Sequence, residues 1–316
     1  MFKHKDYVLT IYEEGKFTKA AEKLFLSQPS LSATIKRIED KLGAPIFDRS
    51  CSPVELTDIG KEYLEYAKRI KELEDSFEKY VSNIGNLITG KLRIGGSSFF
   101  SSFILPDMIS RFNKQHSNIN FEVYEDNTKN LISKLKDGLL DIILDNAIIE
   151  DDKISSEPYL NERLLLAVPK KFEVNEKLLS YRLTAEQIKN GEYLTKKAVD
   201  LTNFKNFPFI LLRHENDTGR RAEKIINKYD LGSNILFYLD QQVTSYNLAC
   251  TGVGLAFLGD ALVKKVANTS ELYYYVLQDR IAMRNIYFYY KKNQYMSLAC
   301  KKFIEYNVQK NNNVQK

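Results

Sequence analysis

The chain has 316 residues, of which 44% are hydrophobic and 28% charged. That length allows two or three domains with cores of their own, and the balance is ordinary for a globular protein. No long uninterrupted apolar run is present, which excludes a transmembrane helix. The net charge of +5 does not by itself point to nucleic acid, because residues 1–90 hold 14 Lys and Arg against 15 Asp and Glu. Any attraction of that first part to DNA must come from local placement and from doubling by dimerisation.

The opening MFKHKDYVLTIYEEG lacks the apolar core and cleavage site of a signal peptide, so a cytoplasmic protein that contacts no membrane is expected. Cys51, Cys250 and Cys300 show no metal or redox spacing, which suits free thiols in a reducing compartment. Cys250 and Cys300 could sense oxidants only if folding brought them together. His4, His116 and His214 form no ligand cluster. No metal and no cofactor is expected.

Two short amphipathic helices come next. Phe17, Ala20, Ala21 and Leu24 fall at i, i+3, i+4 and i+7, one face of a helix. The alanines let a second helix approach closely. Leu31, Ile35, Ile38 and Leu42 repeat the pattern. Ser27 suits the N-cap, Pro29 the first turn and Gly43 the C-terminal cap of this second helix. Its other face carries Gln28, Pro29, Ser30, Ser32, Ala33, Lys36 and Arg37. Gln can pair with adenine, Ser can donate or accept, and Ala can meet a thymine methyl. Lys36 and Arg37 can reach phosphates or guanine. Pattern alone equally suits a helical hairpin with one solvated face.

The order of these residues resembles the LysR-type transcriptional regulators. The matching positions are Phe17, Ala20, Ala21, Leu24, Ser27, Gln28, Pro29, Ser32, Ile35, Ile38, Glu39, Leu42, Gly43, Phe47, Arg49, Leu56, Thr57 and Gly60. The resemblance implies an all-α winged helix-turn-helix over residues 1–58, with a wing at 47–57 and double-stranded DNA as partner. The family often carries basic residues between the wing's Arg and its Leu-Thr. Here Ser50, Cys51, Ser52, Pro53 and Glu55 leave Arg49 as the wing's base, so binding is expected to lean on Lys36, Arg37 and the dimer.

Thr57 begins a third element. Ile59, Tyr63, Tyr66, Ile70, Leu73, Phe77, Tyr80, Ile84 and Leu87 are spaced alternately by four and three, an unbroken heptad seam. Lys61, Glu65, Lys68, Glu72 and Glu78 fill other faces. A long helix with one apolar stripe must bury it, against its own chain or against another long helix. In the family this is the linker helix, here 59–89, through which subunits dimerise. A homodimer or homotetramer then presents paired reading heads to a palindromic site.

After a break at Asn86–Gly90, strand and helix patterns alternate. Strands are expected at Lys91–Gly96, Ile119–Tyr124, Asp141–Leu144, Leu164–Val168, Phe209–Arg213, Ile235–Leu239, Leu255–Leu258 and Ile286–Tyr290. Helices are expected at Ile104–Asn113, Leu131–Asp137, Thr218–Tyr229, Thr244–Cys250 and Tyr295–Tyr306. Residues 170–204 read as short helices and loops, and 307–316 as a polar tail, frayed from Asn311. This alternation implies an α/β fold with helices on both faces of a sheet. Gly90, Leu92, Ile94, Gly95, Leu105, Pro106, Phe112, Leu135, Gly138, Asp141, Gly252 and Gly254 resemble the family's effector domain. The resemblance implies a two-lobed effector-binding domain over 90–306, built like a periplasmic binding protein. Lobe one would be about 91–166 with 270–305, and lobe two about 167–269. Gly259 stands where the family often has proline.

Ligands of such a fold sit at strand carboxyl ends beside helix N-termini, which favour small anions. Ser97 and Ser98, then Asn127 and Thr128, and in lobe two Gln241 and Gln242, follow strands in this way. Asp240 would disfavour an anion if it pointed inward. Phe99, Phe100 and Phe204 could give the pocket an apolar wall, although core packing is the commoner fate of Phe. The expected effector is a small anionic metabolite, and RNA polymerase a further partner. An enzyme on the α/β part is the alternative class. No Ser-His-Asp order with a nucleophile elbow, phosphate loop or metal cluster supports it, and no catalytic residue is assigned. A plain metabolite-binding protein is disfavoured by the helical head and the missing secretion signal.

Overall fold

The computed structural model describes residues 1–51, 53–84, 90–232, 234–266, 271–292 and 295–314. Ser52, Leu87 and the break assigned to residues 86–89 lie outside the described residues, as do the side chains of Tyr80 and Ile84. The chain divides into two compact units, Met1–Val81 and Ser82–Lys316.

The first unit opens with α1 (Lys5–Glu14), which is not among the expected elements. The expected pair follows as α2 (Phe17–Lys23) and α3 (Gln28–Leu42). Ser27 caps α3, its hydroxyl accepting from the Ser30 amide at 3.4 Å. Gly43 closes the helix at φ 72°, a left-handed conformation that glycine adopts without Cβ strain. Val8 and Ile11 of α1, Ala20 and Ala21 of α2, and Leu31, Ile35 and Ile38 of α3 meet in one core. Strands β1 (Phe47–Asp48) and β2 (Glu55–Leu56) form the antiparallel wing. Its root is fixed by Glu39, whose carboxylate accepts from the amides of Ile46 (2.9 Å) and Phe47 (3.3 Å).

Helix α4 (Asp58–Ile84) starts under the Thr57 hydroxyl, which accepts from the Gly60 amide at 2.9 Å and donates to the Pro45 carbonyl at 2.6 Å. A Cβ at Gly60 would lie 2.0 Å from the Ile46 carbonyl oxygen. Gly60→Ala is therefore expected to destabilise this unit by about 1–3 kcal/mol, the range for overpacking against backbone. Denaturation midpoints of variant and wild type check this, and equal midpoints would refute it.

The heptad seam needs one correction. Tyr63 is 4% exposed and stacks on Phe2 at 4.7 Å, so it belongs to this unit's own core with Leu64 and Ala67. Further along, Leu73 and Phe77 are 70% and 67% exposed.

The second unit begins with β3 (Gly90–Gly96), α5 (Leu105–Asn113), β4 (Ile119–Glu125), α6 (Thr128–Lys136), β5 (Ile142–Asp145) and β6 (Ile154–Pro169). It continues through α7 (Val174–Lys177), α8 (Ala185–Lys189), β7 (Phe209–Leu212), α9 (Asp217–Lys228), β8 (Ile235–Leu239) and α10 (Gln242–Cys250). It ends with β9 (Leu255–Gly259), α11 (Asp260–Val266), β10 (Leu272–Val276), β11 (Met283–Lys291) and α12 (Leu298–Val314).

The strands follow the order β4-β3-β5-β11-β6-β9-β7-β8, with β10 also paired to β6. Strand β6 joins the two halves of this order. Its residues 154–163 pair with β11, and its residues 164–169 with β9 and β10. Along that second stretch Leu165 and Ala167 enter one core, while Leu164, Leu166 and Val168 enter another on the opposite face. The alternation is the two-residue period of a strand buried on both sides.

Several expected bounds are corrected here. The strand expected at Leu164–Val168 is the end of β6, whose earlier part is polar and carries Pro158. The register with β11 shifts at Ile286/Tyr287, opposite that proline, where a bulge tolerates its missing N–H. Elements α11 and β10 are not among the expected ones. Helix α12 continues to Val314, through residues expected to fray.

A buried ionic cluster ties β6 to β11. Arg284 of β11 donates through Nε to Glu162 of β6 at 2.5 Å, and through Nη1 to Asp217 (3.1 Å) and Thr218 (2.8 Å) of α9. Burial lifts the Glu162 carboxyl above its ordinary range, more than Arg284 lowers it. Burial also works against the Asp217 carboxylate, but Arg284 and Arg221 hold it below the ordinary range.

Candidate functional site

Helix α3 turns Leu31, Ile35 and Ile38 into the core and leaves Gln28, Pro29, Ser30, Ala33, Lys36 and Arg37 exposed. Ser32 is half-buried, and its hydroxyl accepts from Arg49 Nη1 at 3.2 Å. Arg49 also pairs with Glu39 at 3.0 Å and stands 4.9 Å over the Phe17 ring. Three internal partners thus hold the wing's base. Arg37 also lines a groove of about 480 Å³ with Lys3, His4, Thr34, Asp40 and Lys41. Lys3 and Lys41 are bases that the sequence reading missed, because they lie on different turns and meet only in the fold.

In the second unit a cleft of about 480 Å³ opens where β3, β4, β7 and β8 end. Ser97, Asn127, Thr128 and Gln241 line it, as the strand-end rule places them. Asn127 caps α6, accepting from the Asn130 amide at 3.0 Å. The Thr128 hydroxyl donates to Asp145 at 2.8 Å. Burial pushes that fully enclosed Asp145 carboxyl up from its ordinary range. Arg213, Glu215 and Asn216 complete the opposite wall. The same rule applied to the end of β7 would have found them.

Asp240 does line the cleft, but Arg213 pairs with it at 3.1 Å. Asp126 accepts from Lys134 at 2.7 Å. Exposed Glu125 and Glu215 remain at the rim beside Lys129.

Four expected contacts are placed elsewhere. Phe99 is 3% exposed and packs on Phe100 and Phe103 in the core. Phe204 is fully buried in the other core, 5.3 Å from Tyr275. Both bury aromatic area that would otherwise stay wet, the commoner fate of Phe. Gln242 is buried, and its side-chain oxygen accepts from the Gly259 amide at 3.2 Å. Ser98 is half-buried and does not line the cleft.

Cys51, Cys250 and Cys300 are not disulfide-bonded. Among the described residues, no group of three or more His, Cys, Asp or Glu is placed to hold a metal. No helix among them is long and apolar enough to cross a membrane.

Comparison with known proteins decides the family. Residues 2–61 match the sequence model of the bacterial regulatory helix-turn-helix protein, lysR family, and residues 85–311 that of the LysR substrate binding domain. The chain belongs to the LysR family. It is a LysR-type transcriptional regulator, with a winged helix-turn-helix and a two-lobed α/β effector-binding domain.

An uncharacterized HTH-type regulator of Bacillus subtilis, YcgK, is 27% identical over 302 residues, covering 95% of this chain and 91% of that one. BenM of Acinetobacter baylyi is 33% identical over 176 residues, covering 55% and 57%. A full-length OxyR variant from Pseudomonas aeruginosa has the same fold at a TM-score of 0.68 and 19% identity, covering 97% of this chain and 94% of that one. Full-length CbnR, solved with its target DNA, gives 0.63 at 17% identity, covering 98% and 99%.

Proposed function

We propose that this LysR-type regulator reads DNA through the exposed side of α3 and answers to a small carboxylate-bearing metabolite in the cleft. The single observation that carries the first part is the division of α3. Its apolar side is sealed in the core, while Gln28, Ser30, Ala33, Lys36 and Arg37 stand free. That is the geometry a recognition helix needs in the major groove. Two copies paired through α4, as a dimer or a tetramer, supply two such heads. The regulator works in the cytoplasm, where RNA polymerase is its further partner.

The cleft supports a ligand of mixed character. Ser97, Thr128 and Gln241 offer hydrogen bonds, and α6 and α10 present their N-termini, which favour a carboxylate. Glu125 and Glu215 at the rim favour a balancing positive or hydroxyl group on the same molecule. Such a ligand changes DNA affinity only if it binds two arrangements of the subunits unequally.

Binding of the chain's own promoter-region duplex and of random duplex, followed by fluorescence anisotropy over a salt series, tests the reading face. Gln28→Ala is expected to lose about 1–3 kcal/mol of discrimination between the two duplexes. Lys36→Ala is expected to weaken both alike and to lower the salt slope by about 1. Wild-type behaviour in both variants would remove α3 from the interface.

A further inference from the structure

The groove that Arg37 lines in the head holds charge that no acid of the chain neutralises. It brings Lys3 and His4, from the single turn before α1, against Thr34, Arg37, Asp40 and Lys41 of α3. Several other bases of the head are already paired: Lys5 with Glu74, Lys23 with Glu13 and Glu14, Arg49 with Glu39, and Lys61 with Asp58. Lys3, Arg37 and Lys41 are exposed, and none has an ion-pair partner among the described residues. Three free cations thus share the groove with one carboxylate, that of Asp40. The negative end of α3 accounts for a base at Lys41. It does not account for Lys3, which another element brings to the same place.

This basic groove continues the reading face. Ser30, Thr34, Arg37 and Lys41 fall at i, i+4, i+7 and i+11, one stripe of α3. Arg37 and Lys41 lie about 10 and 16 Å along the helix axis from Ser30. The major groove of DNA is about 12 Å wide. With Gln28 and Ser30 at base edges, the cations further along the stripe come level with the phosphates that border the major groove.

We propose that the basic groove is a second DNA contact, which clamps a backbone phosphate beside the bases that α3 reads. The proposal rests on the reading of α3 given above. Lys3 approaches the phosphate from one wall, and Arg37 and Lys41 from the other. The Arg37 fork can bind two of its oxygens, and the His4 ring adds an N–H donor. The Thr34 hydroxyl donates to the Ser30 carbonyl at 3.0 Å and is not needed as a further donor. Such a contact carries no sequence information but fixes register and adds affinity. It also supplies what the wing does not, since Arg49 is held by Ser32, Glu39 and Phe17. Asp40 is the group in the groove that repels a phosphate, so its removal should act in the opposite sense to removal of the lysines.

The test is fluorescence anisotropy of the full-length protein on its own promoter-region duplex and on random duplex, over a salt series. Lys3→Gln combined with Lys41→Gln is expected to lower the salt slope by about 2 for each engaged head. It should weaken both duplexes by the same factor, about tenfold or more at moderate salt, and leave their ratio unchanged. Lys3→Arg combined with Lys41→Arg should restore wild-type binding, and Asp40→Asn should strengthen binding to both duplexes. These side chains are exposed, so the melting temperature should hold throughout.

A wild-type slope in the double glutamine variant would overturn the proposal and leave the groove to another partner, such as an acidic protein segment. So would a loss of discrimination in that variant, or an Asp40→Asn protein that binds no more tightly. Gln28→Ala keeps the two readings apart. If it loses discrimination while the double glutamine variant keeps its slope, α3 reads DNA and the basic groove does not touch it. If the wild type itself does not discriminate, both readings fall.

Discussion

Leu73→Glu combined with Phe77→Glu is expected to turn the regulator into a monomer and to weaken its binding to a two-site operator by about 10²–10⁴-fold, the usual gain from tethering two modules. The first turns of α4 are spent on the chain's own head, through Tyr63, Leu64 and Ala67. Beyond them the helix is held to α1 by Lys5, which pairs with Glu74 at 2.7 Å. The seam keeps its heptad spacing, but Ile59, Tyr66, Leu73 and Phe77 are 48%, 52%, 70% and 67% exposed.

A stripe of that kind on a 27-residue helix is stable in water only when another apolar surface covers it. A second copy of the helix is the partner its regular period suits. Glutamates at two exposed positions remove apolar contact and set like charges opposite each other across the pair. Because both positions are exposed, the head should melt at its wild-type temperature. Sedimentation equilibrium gives the mass, and anisotropy on one-site and two-site duplexes gives the affinities. A dimeric mass with wild-type affinity would show that the seam serves another purpose.

The head was legible in the sequence because its determinants are local. The two stripes of α2 and α3, the Ser27 cap and the Gly43 terminator are each decided within a few residues. Tyr63 was misplaced because a heptad stripe can serve two surfaces at once, and spacing does not say where one hands over to the other. In the second unit, short apolar runs located β5 and β9, strands buried on both faces. The early part of β6 has no such run, and only its pairing with β11 makes it a strand.

The cleft was half legible for the same reason. Strand ends and helix starts are local signals, so Ser97, Asn127, Thr128 and Gln241 fell where expected. The fate of a Phe or a Gln is decided by what packs over it, and Phe99, Phe204 and Gln242 went to the interior. The ionic cluster was invisible, since Glu162 and Arg284 meet across 122 positions.

That cluster also explains the glycine at 259, where the family often has proline. Any Cβ there would lie 2.1 Å from Glu162 Oε1. Proline would also remove the amide that donates to Gln242 at 3.2 Å. Glu162 cannot step aside, because its other oxygen is engaged by Arg284 and by Asn146 at 3.3 Å.

Gly259→Pro is therefore expected to destabilise the effector domain by about 4 kcal/mol or more. Overpacking contributes about 1–3 kcal/mol, and a disturbed buried ion pair and a lost hydrogen bond add to it. Gly259→Ala keeps the amide and isolates the collision, at about 1–3 kcal/mol. In a Glu162→Ala background the carboxylate is gone, so the further cost of Gly259→Ala should fall below about 1 kcal/mol. Residues in contact couple by about 0.5–3 kcal/mol in such cycles. Chemical denaturation of the four proteins closes the cycle. An equal cost for Gly259→Ala in both backgrounds would mean that Glu162 is not what demands glycine at this position.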